Sequence, residues 1–153
     1  MNILVVYDSV YGNTEKVARA IAGALAPVGE VKALRPDDVN LTQLESLDLL
    51  VVGSPTQGWR PTPAVQKLLD DIPANALGSV KVAAFDTRME GRIAGLFGFA
   101  AGRIADGLKR KGGRLVTPAE GFVVTGSEGP LKEGELERAA EWAGRIAKSE
   151  EQS

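Results

Sequence analysis

The 153-residue sequence predicts an α/β fold, a doubly wound parallel sheet of five strands with helices on both faces. Three observations carry that expectation. Four apolar runs, "ILVVY" from Ile3, "LLVVG" from Leu49, "VAAF" from Val82 and "FVV" from Phe122, lack the polar alternation of a half-wet sheet, as strands covered on both faces do. Between them lie segments whose apolar residues recur every three or four positions, marking one buried helix face. The two kinds of segment alternate without a repeat or a long polar linker, and right-handed crossovers then wind helices onto both sides of the sheet.

Each element follows from its own residues. The first strand covers Asn2 to Tyr7, and the helix after it buries Val17, Ile21 and Leu25. The second, Glu30 to Leu34 in "EVKALRP", mixes charged and apolar positions as an exposed edge does. The third covers Asp48 to Gly53; Thr62-Pro63 then offers an N-cap with proline in the first turn of a helix that buries Val65, Leu68 and Leu69. The fourth strand covers Lys81 to Phe85. A third helix from about Ala100 to Lys111 buries Ile104 and Leu108, and its "KRKGG" ending sets cations on the negative dipole end before a glycine stop. The last strand falls near Gly121 to Thr125. The last helix buries Leu136, Ala139, Ala143 and Ile146, with Trp142 partly buried, and "KSEEQS" reads as a frayed tail. One domain over residues 1–148 and a disordered tail over 149–153 are expected, this length sufficing for one compact core.

Composition narrows the function. A net charge of −2 leaves no excess of cations to neutralise phosphates, which argues against a nucleic-acid binder. No apolar run approaches the roughly 18 residues needed to cross a bilayer. Strand residues start at position 2 without a basic leader, so no cleavable signal and a cytoplasmic location are expected. Without Cys or His the chain has no disulfide, thiolate nucleophile, imidazole base or Cys/His zinc site. Redox chemistry here would need a bound cofactor.

In a doubly wound sheet, ligands sit beyond the carboxyl ends of the strands, where the winding reverses. That rule selects Asp8 to Asn13, Ser54 to Arg60 and Asp86 to about Phe99, all rich in Gly, hydroxyl and aromatic residues. The first feeds a helix start, whose unpaired backbone amides and positive dipole end form an anion site. Ser9, Tyr11 and Thr14 add hydroxyls, Gly12 allows close backbone approach, Asn13 tolerates a turn, and the loop has no Lys or Arg. Asp8 either reaches a ligand hydroxyl or bonds its own backbone. Neither the G-x-x-x-x-G-K-[ST] nor the G-x-G-x-x-G pattern follows a strand.

Ser9-Val10-Tyr11-Gly12-Asn13-Thr14 resembles the phosphate loop of the flavodoxin family, roughly [ST]-x-T-G-[NK]-T, with Tyr11 in place of the middle Thr. "VVGSPTQGW" resembles that family's second loop, G-x-P-T-x-G, and the element order agrees over nearly the whole chain. The resemblance implies strand order 2-1-3-4-5 with FMN at the switch point, the flavodoxin example of the general rule. It implies that Ser9, Val10, Tyr11, Gly12, Asn13 and Thr14 hold the FMN phosphate. Pro55, Thr56, Gln57, Gly58 and Trp59 would line one side of the isoalloxazine ring, and Asp86, Thr87 and Arg88 the other. Gly58 stands where a peptide carbonyl turns toward the flavin as its redox state changes. A phospho-acceptor receiver shares the architecture but needs an Asp where this third strand ends in Ser54.

The chain departs from that pattern in its aromatics and its charge. Gln57 stands where an aromatic is usual, the indole comes at Trp59, and stacking on the other side falls to Phe97 or Phe99. Arg60, Arg88 and Arg92 stand against Asp86 and Glu90, a balance that favours an anionic reduced flavin and so a less negative second potential. Alternatively Arg88 and Arg92 pair with those carboxylates or point to solvent. The reading is an FMN-binding electron-transfer protein, a monomer or weak dimer, with an unidentified redox protein as partner. The alternatives are a module of the same fold that binds FMN weakly or not at all, and an FMN-dependent quinone-type oxidoreductase.

Overall fold

A computed structural model gives the structure of residues 1–90 and 99–151. Among these lie strands β1 (Asn2–Tyr7), β2 (Glu30–Leu34), β3 (Leu49–Pro55), β4 (Lys81–Met89), β5 (Arg114–Leu115) and β6 (Glu120–Val124). The helices are α1 (Asn13–Leu25), α2 (Pro63–Asp71), α3 (Ala100–Arg110) and α4 (Glu135–Glu151). The strands form one parallel sheet in the order β2-β1-β3-β4-β5, with β6 also paired to β4. This is the expected topology, with one difference. The fifth strand is split: β5 pairs with Lys81 and Val82, the chain leaves the sheet around Pro118, and β6 resumes beside Phe85. Proline cannot donate to a ladder, which accounts for a break there.

Alternate residues of each strand face opposite sides of the sheet, so every central strand feeds two cores. Ile3, Val5, Leu49, Val51, Ala83 and Phe85 meet α1 and α4, while Leu4, Val6, Leu50, Val52, Val82 and Ala84 meet α2 and α3. At the centre of the first core Phe85, Phe122 and Trp142 pack edge to face, with ring centroids 6.0–6.1 Å apart. Trp142 is thus fully buried, 1 % exposed, rather than partly so. Gly53 lies beside Phe85 in the sheet, and a Cβ there would overlap the Phe85 ring.

Several termini differ from expectation. In α4, Leu136 is 40 % exposed and Glu135 turns inward instead, its carboxylate accepting the Val123 amide at 2.7 Å and pairing with Arg138. Arg138 and the Val123 amide hold the Glu135 carboxyl below its ordinary value. The Thr62 hydroxyl caps nothing; it is buried without a partner among the described residues, and the Thr62 amide donates to Ser54 Oγ at 2.9 Å. The glycine stop of α3 forms as expected: Gly112 has φ +100°, and the amides of Gly112 and Gly113 close on Lys109 and Leu108. α4 continues to Glu151, and residues 152–153 of the expected tail lie outside the described residues. No helix among the described residues is long and apolar enough to cross a membrane.

Candidate functional site

The carboxyl ends of β1, β3, β4 and β6 surround a cleft of about 170 Å³. Ser9, Val10, Tyr11, Asn13, Thr14, Pro55, Thr56, Gln57, Thr87 and Arg88 line it, together with Met89, Val124 and Ser127. Of the residues selected from sequence, Gly12, Gly58, Trp59 and Asp86 do not. A larger hollow of about 480 Å³ lies against β1, β2 and the turns before β3, reaching Asn2 and Glu30 at the amino ends of their strands. Its position is wrong for a switch-point ligand, so size does not select the site here.

The first loop is held open by its own serine. Ser9 Oγ accepts from the Gly12 amide at 3.1 Å and the Glu15 amide at 3.3 Å, and Gly12 takes φ +91°, a conformation that favours glycine. Among the described residues the amides of Val10, Tyr11, Asn13 and Thr14 meet no acceptor within the protein. They stand at the start of the 13-residue helix α1, where the macrodipole adds positive potential. Asp8 is spent locally, accepting the Ser9 amide at 2.9 Å and Arg35 at 3.3 Å, so it closes the turn.

Neighbouring loops are tied into this one. Buried Thr14 Oγ1 lies 2.8 Å from Thr87 Oγ1, joining α1 to the end of β4. Asn13 Nδ2 donates to the Glu128 carbonyl at 3.1 Å, and an added Cβ on Gly129 would sit 2.5 Å from that amide. The Thr56 amide donates to the Thr87 carbonyl at 2.9 Å.

The second loop turns tightly, Gln57 and Arg60 exchanging backbone hydrogen bonds of 2.8 and 3.0 Å. Both central residues have positive φ, +54° at Gly58 and +69° at Trp59. Two-residue hairpins require that geometry, and for a non-glycine residue it costs about 1–2 kcal/mol. The turn leaves Gln57 on the cleft and carries Trp59 past it, its carbonyl accepting Arg103 Nε at 2.9 Å.

Asp86, expected in the third loop, lies instead within β4, which runs past Phe85 to Met89, and it is completely buried. Its carboxylate accepts Arg88 Nε at 2.7 Å and Nη2 at 2.8 Å, and the Ala101 amide at 2.9 Å. Thr56 Oγ1 in turn accepts the Ala100 amide at 3.2 Å, so the two side chains cap α3. Burial pushes the Asp86 carboxyl up from its ordinary value, against the opposing pull of Arg88 and the amide. Arg88 also lies over the Phe99 ring, 3.4 Å from its centroid. Its charge is therefore offset by Asp86, Glu90 pairs with Lys132 at 2.9 Å, and Arg60 lines a different groove. The expected rise in the second potential loses these two causes; Arg92 and Phe97 lie outside the described residues.

Met89, Val124 and Ser127 escaped the sequence reading. The signal was present: Val124 ends a strand and "TGSEG" follows, so the carboxyl-end rule extends to β6 as well. Val10, Tyr11 and Met89 are exposed at 54 %, 59 % and 51 %, the large apolar side chains of this rim left open to solvent. Arg88 is the one charged side chain among the described lining residues. The cleft thus offers bare amides and hydroxyls at one end and an apolar rim beside them, donors suited to a phosphate monoester carrying a flat, apolar group.

The family model described as flavodoxin matches residues 5–142. Among curated proteins the chain is similar to diflavin flavoprotein A 5 of Nostoc sp. PCC 7120, 40 % identical over 70 residues, 41 % of this chain and 12 % of that protein. It is 33 % identical over 103 residues to diflavin flavoprotein A 4 of the same organism, covering 64 % of this chain and 16 % of that protein. The chain spans less than a fifth of either relative. Among solved structures it superposes on a flavodoxin from the domain Archaea with a TM-score of 0.80 at 22 % identity, covering 99 % of both chains, a likeness of fold.

Proposed function

Since this chain belongs to the flavodoxin family, which implies FMN as its cofactor, we propose that it holds FMN in the cleft above β1, β3, β4 and β6 and exchanges single electrons with a protein partner. The observation that carries this reading is the α1 start, where Val10, Tyr11, Asn13 and Thr14 line the cleft with amides that meet no acceptor among the described residues.

Ser9 and Gly12 shape that loop rather than filling it: the serine fixes the bend and the glycine supplies its left-handed residue. Pro55, Thr56 and Gln57 with Gly58 and Trp59 behind them border one side, and Thr87, Arg88 and Met89 the other. Asp86 acts from beneath, holding Arg88 and the start of α3 in place. When bound, FMN supplies one-electron redox chemistry. The residues' work is to orient it, to set the polarity around it, and to leave its outer rim open between Val10, Tyr11 and Met89.

The test compares FMN with riboflavin, which lacks the phosphate, by quenching of flavin fluorescence. Several amides donating to one dianion are worth several kcal/mol, so FMN should bind at least about a hundredfold more tightly. Equal affinities would remove the phosphate role of the first loop. The electron-transfer half is read separately: the photoreduced, FMN-loaded protein should reduce a one-electron protein acceptor in a single turnover. Sustained turnover of NAD(P)H with a quinone would point to an oxidoreductase instead.

A further inference from the structure

A second concave surface, of about 240 Å³, runs between α2 and α3 and is lined by Arg60, Arg103, Arg110 and Lys111 over Pro61 and Leu69. Asp70 is the one acidic residue of its lining, so the groove is cationic on a chain whose net charge is −2. Elsewhere Arg19, Arg35, Arg88, Arg138 and Arg145 each have a carboxylate within 4.0 Å, and Arg114 is the one described arginine outside the groove that forms no ion pair. Among the described residues, Arg60, Arg103 and Arg110 form no ion pair. Arg103 and Lys111 instead bond backbone carbonyls, those of Trp59 at 2.9 Å and Ile72 at 2.6 Å, which fixes both stems along the groove walls.

Unpaired cations held together repel one another, and a surface that keeps them so is built to meet negative charge. Three of the four, Arg60, Arg103 and Arg110, are exposed, so no desolvated nest of donors exists to hold a small anion tightly. Many simultaneous weak contacts suit an extended acidic surface better. Nucleic acid is disfavoured by the acidic remainder of the chain. Position narrows the choice further. Gln57 lines the flavin cleft and Arg60 this groove, and they face each other across a hydrogen-bonded pair, about 5.5 Å apart at Cα. Whatever sits in the groove is a neighbour of the cleft.

We propose that the α2–α3 groove is the docking surface for an electron-carrier protein that presents a carboxylate-rich face. This rests on the electron-transfer reading above for the word carrier, and on the groove alone for its charge.

The test uses native cytochrome c, which is basic, and succinylated cytochrome c, in which the same haem protein carries added carboxylates. With ¹⁵N-labelled, FMN-loaded full chain, the succinylated probe should shift amides around Arg60 and along Arg103 to Lys111, and the native probe should not. The shifts should collapse as salt is raised from low ionic strength to about 0.15 M. Arg60→Gln/Arg110→Gln removes two cations that form no ion pair among the described residues and should weaken the complex roughly tenfold. Shifts located elsewhere, equal binding of native cytochrome c, or an unaffected double variant would overturn the proposal. Inorganic phosphate or a short DNA duplex reproducing the same saturable shifts would overturn it too, in favour of a small anion or a nucleic acid. Stopped-flow reduction of the succinylated probe is the separate readout: binding at the groove without electron transfer defeats the electron-transfer reading and leaves an acidic docking partner.

Discussion

Thr14→Val isolates one hydroxyl without changing shape. Thr14 is 1 % exposed, its Oγ1 lies 2.8 Å from Thr87 Oγ1, and both residues line the cleft. In the apoprotein the substitution deletes one buried hydroxyl–hydroxyl bond, worth about 1 kcal/mol. In the FMN complex it deletes a donor to a charged acceptor, worth about 1.5–3 kcal/mol, or roughly tenfold to a hundredfold in Kd. Urea unfolding of the apoprotein gives the first quantity and FMN fluorescence titration the second. Thr87→Val should cost the apoprotein the same, and the double variant no more than either single one, because all three lose the same bond. A Thr14→Val protein that loses stability yet binds FMN as tightly as before would show that this hydroxyl points away from the ligand, and the placement of the phosphate would fail with it.

Gly12→Ala and Gly134→Ala make a matched pair: both glycines have φ +91° and open space where a Cβ would go, so each should lose about 1–2 kcal/mol in thermal or urea unfolding. Gly12→Ala alone should also disturb FMN titration. Gly53→Ala drives a methyl into the Phe85 ring, which Phe122 and Trp142 pin from the other side, and should cost about 1–3 kcal/mol or prevent folding, read by circular dichroism. The folded-state pKa of Glu135 is depressed, so its ionisation contributes stability above its ordinary value of 4.5 that is lost as the pH falls through the folded-state value. Glu135→Gln should therefore be less stable than the parent at neutral pH, and the gap should narrow in urea titrations below about pH 4.5.

What could be read from sequence, and what could not, divides along physical lines. β1, β3 and β4 were legible because burial on two faces demands unbroken apolar residues, and the carboxyl-end rule then placed the first three loops. β5 was not, since two residues carry no pattern, and Pro118 hid the continuity between Leu115 and Glu120. Periodicity found the buried face of α4 but not its depth at Trp142. It also chose Leu136 over Glu135, because nothing local announces that the Val123 amide needs a carboxylate. In the site, the bare amides of the first loop followed from sequence order alone. That Gln57 lines the cleft while Trp59 does not depended on two positive φ angles, and the diversion of Arg88 onto Asp86 on a buried charge two residues away.

Asp86 lends the fold a kind of modularity. A single carboxylate closes the distance between the end of β4 and the first turn of α3, so the ends of the connection between them are fastened to each other before that connection begins. A substitute segment of different length or composition, grafted between Glu90 and Phe99, would inherit both anchor points. Such exchanges should leave the sheet as it is, which makes this connection a place where the sequence can be varied without redesigning the protein.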